Sequence, residues 1–80
     1  MNFINSKKKF EDRLIYRFRQ IVSGHSGLNI REQDSEKLSE AVSLRMKSLR
    51  LSSPNAYYQI LEADSEKSKT EFREIAIHYG

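Results

Sequence analysis

Cysteine and tryptophan are absent from this chain, proline occurs once and glycine three times. Without cysteine there is no disulfide and no thiolate metal site, and a reducing compartment is the expected setting. The single proline, Pro54, and two glycines crowded into "SGHSG" leave few punctuation points, so the chain reads as a few long elements. No stretch alternates apolar and polar residues long enough for a strand. No apolar run approaches the roughly 20 residues of a membrane span. The opening "MNFINSKKKF" places its lysines after a very short apolar patch, the wrong order for a signal peptide. The expectation is one cytoplasmic, all-α domain over residues 1–80, monomeric and without membrane insertion.

What is present suffices for one small core. The apolar fraction is 38% and the aromatic fraction 10%, and each Phe or Tyr buries a large area. A core of this size leaves only about a few kcal/mol of net stability. Charge is uneven. Residues 1–23 carry six bases and two acids, for +4, whereas residues 24–51 sum to +1 and residues 52–80 to −2. The basic front of the chain permits an acidic partner, although many solvated helices look the same.

Periodicity predicts a compact bundle of four helices with a long second helix and a short third one. The first runs from about Ser6 to Val22, capped by Asn5 or Ser6, with Phe10, Leu14, Phe18, Ile21 and Val22 on one face. Phe3 and Ile4 can fold back onto the same core. Gly24 is the expected left-handed terminator. The second helix runs from about Arg31 to Leu51. Leu38, Val42, Met46 and Leu49 form its apolar face, Ala41 and Arg45 flank it, and Leu44 and Leu51 point away. The third runs from about Pro54 to Glu62, capped by Ser53 with Pro54 at its first position, and Tyr57, Ile60 and Leu61 share a face. The fourth runs from about Ser65 to Tyr79. Ser68 and Glu71 have capping-box spacing, and Phe72, Ile75, Ala76 and Tyr79 form the apolar face. That pattern is still running at Tyr79, so the natural protein is expected to continue beyond Gly80.

Most chemistry is disfavoured by what these residues are. His25 and His78 are the only histidines, too few for a closed metal site. No serine sits in a strand-to-helix elbow, and "SGHSG" follows no strand and precedes no Gly-Lys-Ser/Thr, so it is a helix stop and not a phosphate cradle. Glu36 and Glu40, four apart on an outer face, are a solvated pair and not an acid and base. Lys9, Arg13 and Arg17 make a basic stripe on the first helix, with Tyr16 and Gln20 beside it. However, the second helix opens with Glu32, Asp34, Glu36 and Glu40, which repel phosphates, so nucleic acid is not the expected partner. Those acids, followed by Arg45, Lys47 and Arg50, also offset a helix macrodipole. The pattern thus fits either simple helix stabilisation or a binding surface.

The order of features is more specific than any one of them. An amphipathic helix ends in "SGLNI", a long helix ends in "SLRLSS", and "AYYQIL", an acidic link and "EFREIAIHYG" follow. This resembles the N-terminal all-helical domain of CheR-type chemotaxis methyltransferases, whose pattern runs roughly "tGi.l", a long basic helix, "lgl.s...Y...L" and "EW..l". Gly27, Leu28 and Ile30 match the first motif. Leu49, Leu51, Ser53, Tyr57 and Leu61 match the second without a gap, and Glu71 and Phe72 match the third, with Phe for Trp. The resemblance covers about residues 10–80.

It implies the helical part of an S-adenosylmethionine-dependent protein-glutamate O-methyltransferase. The cofactor would sit mainly in a C-terminal α/β domain, after a "T.FFR"-like segment, and this chain alone would hold no cofactor and be inactive. The partners implied are that cofactor domain and an acidic helical protein such as a chemoreceptor cytoplasmic region. Asp34 stands where the family usually has lysine, and Ala41 and Leu44 stand where it usually has arginine. Arg45, Lys47 and Arg50 remain as basic partner-binding candidates, with Leu44 as an apolar contact beside them. Arg45 flanks the core and can instead pair internally. The alternative function is a non-enzymatic helical protein-interaction module, and after it a nucleic-acid-binding helical domain that uses Lys9, Arg13 and Arg17.

Overall fold

Apolar side chains spaced three and four apart put one stripe on each helix, and the stripes meet in one core. The computed structural model describes residues 12–79 as four α-helices, with no strand among them. Helix α1 is Asp12–Ser26. A 3-10 turn, Glu32–Asp34, leads into α2, Ser35–Ser48. Helix α3 is Pro54–Glu62 and α4 is Glu66–Tyr79. The expected cap at Asn5 or Ser6, the apolar Phe3, Ile4 and Phe10, and Lys9 of the basic stripe lie outside the described residues.

Phe18 and Val22 of α1, Leu38, Ala41, Val42 and Met46 of α2, Tyr57 and Leu61 of α3, and Phe72 and Ile75 of α4 are buried together. Ile30, in the loop before α2, joins them. Burial of each large aliphatic or aromatic side chain contributes about 1.5–3 kcal/mol. Helices α2 and α4 make the most extensive interface and run antiparallel: Lys37 lies over the Tyr79 ring at 4.7 Å, and Arg45 reaches Glu71.

The helix ends differ from expectation in four places, each for a local reason; one of them is the end of α2, at Ser48 and not near Leu51. Helix α1 does not stop at Gly24. It continues to Ser26, and Gly27 takes the left-handed backbone, φ 77, with its N–H donating to the Ser23 carbonyl at 3.2 Å. That is the single-bond glycine cap of a helix C-terminus. Two side chains carry the helix past Gly24. The Ser26 hydroxyl donates to the Val22 carbonyl at 2.6 Å, and His25 Nδ1 donates to the Ile21 carbonyl at 3.0 Å.

Helix α2 also starts later than Arg31, because Asp34 binds the backbone N–H and the Nε of Arg31, each at 3.3 Å, and holds a tighter turn there. The Arg31 backbone hydrogen bond, foremost, holds the Asp34 carboxyl below the usual carboxylate range. At the start of α4 the expected pairing of Ser68 with Glu71 is not the cap. Ser65 and Ser68 cap reciprocally, with Ser68 N–H donating to Ser65 Oγ at 3.2 Å and Ser65 N–H to Ser68 Oγ at 3.1 Å. Ser68 is buried, and its hydroxyl donates to the Ile60 carbonyl at 2.5 Å, tying α4 to α3. The cap of α3 is as expected: Ser53 Oγ accepts from Ala56 N–H at 3.3 Å, and Pro54 opens the helix.

The end of α2 carries a strained residue. Arg50 has φ 60. Its N–H donates to the Lys47 carbonyl at 3.1 Å, and the Leu51 N–H donates to the Met46 carbonyl at 2.9 Å. These two bonds form a Schellman cap, a geometry that favours glycine at the left-handed position. The reversal also turns Leu51, expected to point outward, back against the core, where it is half-buried. A side chain in this backbone region costs about 1–2 kcal/mol, partly offset by the greater unfolded-chain freedom of glycine. Arg50→Gly is therefore expected to stabilise the domain by about 0.5–1 kcal/mol, read as a higher urea midpoint at unchanged slope. A lower midpoint would show that the arginine side chain contributes more than the strain removes.

Candidate functional site

Three polar side chains meet inside the bundle. Arg45 of α2 is bidentate to Glu71 of α4: Nε donates to Oε1 at 2.8 Å and Nη2 to Oε2 at 3.0 Å. The Tyr57 hydroxyl of α3 donates to the same Oε1 at 2.7 Å. Glu71 is 2% exposed, and the Arg45 side chain is 15% exposed. Glu74, one turn along α4, approaches Arg45 at 3.9 Å. Burial alone pushes the Glu71 carboxyl up, but the hydrogen bonds from Arg45 and Tyr57 and the charges of Arg45 and Lys67 outweigh it, so the carboxyl sits below its ordinary value. Burial, reinforced by the bond to Glu71, pushes the Tyr57 phenol up. The bond to Glu71 likewise raises Arg45. Both carboxylate oxygens are engaged, one of them twice. The cluster therefore locks α2, α3 and α4 together and offers no free base to solvent.

This placement divides the basic residues of α2. Arg45 takes the internal pairing open to it as a residue flanking the core. Lys47 and Arg50 are exposed at the C-terminal end of α2, and Leu44 is 50% exposed on the preceding turn. An outward leucine followed by two outward cations is a small amphipathic surface, and no ion pair among the described residues neutralises either cation. The negative end of the helix macrodipole lies beside them and stabilises both charges in place.

The other sequence candidates fall elsewhere. Arg13, Tyr16, Arg17 and Gln20 are exposed along α1. The Arg17 guanidinium lies over the Tyr58 ring at 4.5 Å, and that of Arg19 over Tyr16 at 5.4 Å. Glu36 and Glu40 are exposed on α2. His25 sits in the last turn of α1, stacked on Phe72 at 4.5 Å with an interplanar angle of 3°. Among the described residues, no group of three or more histidines, cysteines or acids is placed to hold a metal ion, and no helix is long and apolar enough to cross a membrane.

Two features escaped sequence reasoning. The spacing of Glu71 from Ser68 suggests a cap, although Glu71 shares the α4 face of Phe72 and Ile75. A carboxylate on an apolar face requires a buried donor, and Arg45 and Tyr57 occupy matching positions on theirs. The His25–Phe72 stack has no sequence signal, because it depends on α1 running past Gly24. No protein-family model matches this chain, and no curated protein and no solved structure matches it either.

Proposed function

We propose that this chain is the helical N-terminal domain of a CheR-type protein-glutamate methyltransferase, acting in the cytoplasm as the part that meets the protein substrate. One observation carries the reading: the residues that match the family pattern occupy positions where this fold has special need of them. Gly27, of "tGi.l", is left-handed. The glycine of "lgl.s" falls on Arg50, which is left-handed as well. Ser53 caps α3, and Tyr57 and Glu71 hydrogen-bond to each other. Leu28, Leu49 and Leu51 pack against the core, and Ile30, Leu61 and Phe72 are buried in it.

The working surface in this reading is Leu44, Lys47 and Arg50, facing an acidic helical partner such as a chemoreceptor cytoplasmic region. The two cations steer and orient the partner, and Leu44 supplies an apolar contact. S-adenosylmethionine belongs to a separate α/β domain in this reading. The described residues contain no strand-to-helix turn that could cradle it, so no methyl-transfer step is assigned to them.

Two experiments test the reading. Sequencing the natural reading frame beyond residue 80 is expected to reveal a "T.FFR"-like segment and an α/β cofactor domain; a stop codon there would leave the alternative, a non-enzymatic interaction module. The surface itself is tested by Lys47→Glu with Arg50→Glu. Binding to a synthetic helical peptide of a receptor methylation region should weaken at least about tenfold, while the domain stays folded: both side chains are exposed, and the lost macrodipole interaction is only about 0.3–1 kcal/mol for each charge. Unchanged affinity removes this surface from consideration.

A further inference from the structure

The outer face of α1 has no role in the α2 surface. Between Asp12 and Glu32 the sequence has no acid, and Arg13, Arg17 and Arg19 all fall on α1 within that stretch. Arg13, Tyr16, Arg17 and Gln20 are exposed together. None of the three arginines forms an ion pair among the described residues. We propose that this face binds a single-stranded polynucleotide: Arg13 and Arg17 pair with phosphates, Tyr16 carries a base, and the amides of Gln20 and Asn55 meet base edges. The site stands whether or not the α2 surface does.

The cations are placed with their donors free. The Arg17 guanidinium lies over the Tyr58 ring at 4.5 Å and makes no hydrogen bond among the described residues. A guanidinium over a ring keeps its N–H edges open, and a phosphate can accept from two of them at once. The ring contact also orders Arg17 before a ligand arrives, so less freedom is lost on binding. Arg13 stands one turn earlier on the same side of α1, about 6 Å along its axis. It has no partner among the described residues.

What lies among the cations selects the occupant. Half-buried Arg19 covers one face of the Tyr16 ring at 5.4 Å, and Tyr16 is still 52% exposed. Asn55 is exposed on α3, one turn before the Tyr58 that carries Arg17. Aromatic rings stack on unpaired bases, and side-chain amides read base edges. An acidic peptide needs neither. A membrane surface would call for exposed aliphatic side chains to bury, and the described part of α1 has none that is large.

No neighbouring acid cancels this charge. Glu62, the one acid of α3, pairs with none of the three arginines. The acids that open α2 exclude that helix as the one that meets phosphates, yet none of them pairs with an arginine of α1. Lys7, Lys8 and Lys9 precede α1 in the sequence and add to the long-range attraction of a polyanion.

The test is fluorescence anisotropy of the full chain with labelled oligothymidine and oligouridine, each of about twelve nucleotides, across a salt series. Both should bind with Kd at or below about 100 μM at about 50 mM salt, and the tighter one identifies the sugar the site prefers. Arg13→Gln with Arg17→Gln should weaken binding at least about tenfold. It should also flatten the slope of log K against log salt by about 1.4, the share of two phosphates on a single strand. Arg13→Gln alone removes a side chain without partners, so the fold is kept, and the slope should flatten by about 0.7. Tyr16→Ala should weaken binding at least about fivefold with the slope unchanged. Lys47→Gln should leave affinity and slope nearly unchanged, which separates this site from the α2 surface. No binding at about 50 mM salt, an unchanged slope in the double variant, or tighter binding to an oligoglutamate or to phosphatidylserine vesicles would each overturn the proposal.

Discussion

Glu71→Ala is expected to destabilise the domain by about 3–5 kcal/mol, because it strips a part-buried arginine of its carboxylate and leaves the buried Tyr57 hydroxyl without an acceptor. A domain of this length holds only about a few kcal/mol of net stability, so the variant should be largely molten or unfolded near body temperature. The thermal midpoint followed by circular dichroism at 222 nm should fall by at least roughly 12 °C. A change below about 1 kcal/mol would mean that the cluster contributes little to stability.

A companion variant separates loss of the pair from loss of packing. Replacing all three residues together, Arg45→Met, Tyr57→Phe and Glu71→Leu, removes the charges but keeps the volume. It should recover most of the stability, because the cost lies in orphaning a buried partner and not in lacking an ion pair. The same cluster fixes the pH limits. The folded Glu71 carboxyl lies below its ordinary 4.5, so its stabilisation is complete above that pH and lost as pH falls through the depressed folded value. The folded Tyr57 phenol lies above its ordinary 10.0, so its contribution is complete below that pH and lost as pH rises toward the folded value. Glu71→Gln should flatten the acid arm of the stability profile.

The second large effect is expected at Phe18, which is fully buried. Its ring meets Tyr58 edge-on at 5.4 Å and lies 6.2 Å from Tyr57 at 31°, so it is the buried aromatic contact between α1 and α3, beside the Arg17–Tyr58 contact at the surface. Phe18→Ala removes the ring and leaves a cavity that neighbouring side chains fill only partly, at a cost of about 3–5 kcal/mol. Urea denaturation should show the midpoint falling sharply. Phe18→Leu, which keeps most of the volume, should lose less than half as much. Equal losses in the two variants would point to the aromatic pairs, and not the cavity, as the source of the effect.

Much of this architecture is legible before any coordinates. The four-residue spacing of Leu38, Val42 and Met46 and the Ser53-Pro54 start of α3 are local signals, and local signals are what a sequence displays. What it conceals depends on partners distant along the chain. Gly24 and Gly27 are both good helix terminators in isolation. The choice between them rests on Ser26 and His25 binding backbone carbonyls and on Phe72 lying beneath the imidazole. Arg45 is equally ambiguous from its own neighbourhood. Its inward turn is decided by a glutamate 26 residues away. The candidate surface was therefore legible in Leu44, Lys47 and Arg50, and the internal cluster only as a flanking position.

The antiparallel pairing of α2 with α4 has a consequence for reach. Tyr79 is held beside the first turns of α2 by Lys37, while Lys47 and Arg50 stand at the far end of that helix. At 1.5 Å per residue, the fourteen residues of α2 set the two ends about 20 Å apart. A partner that touches Lys47 and Arg50 and also meets whatever lies next to Tyr79 must bridge that distance along the body of the bundle. Rod-shaped partners satisfy this requirement easily, and a compact loop of a few residues does not.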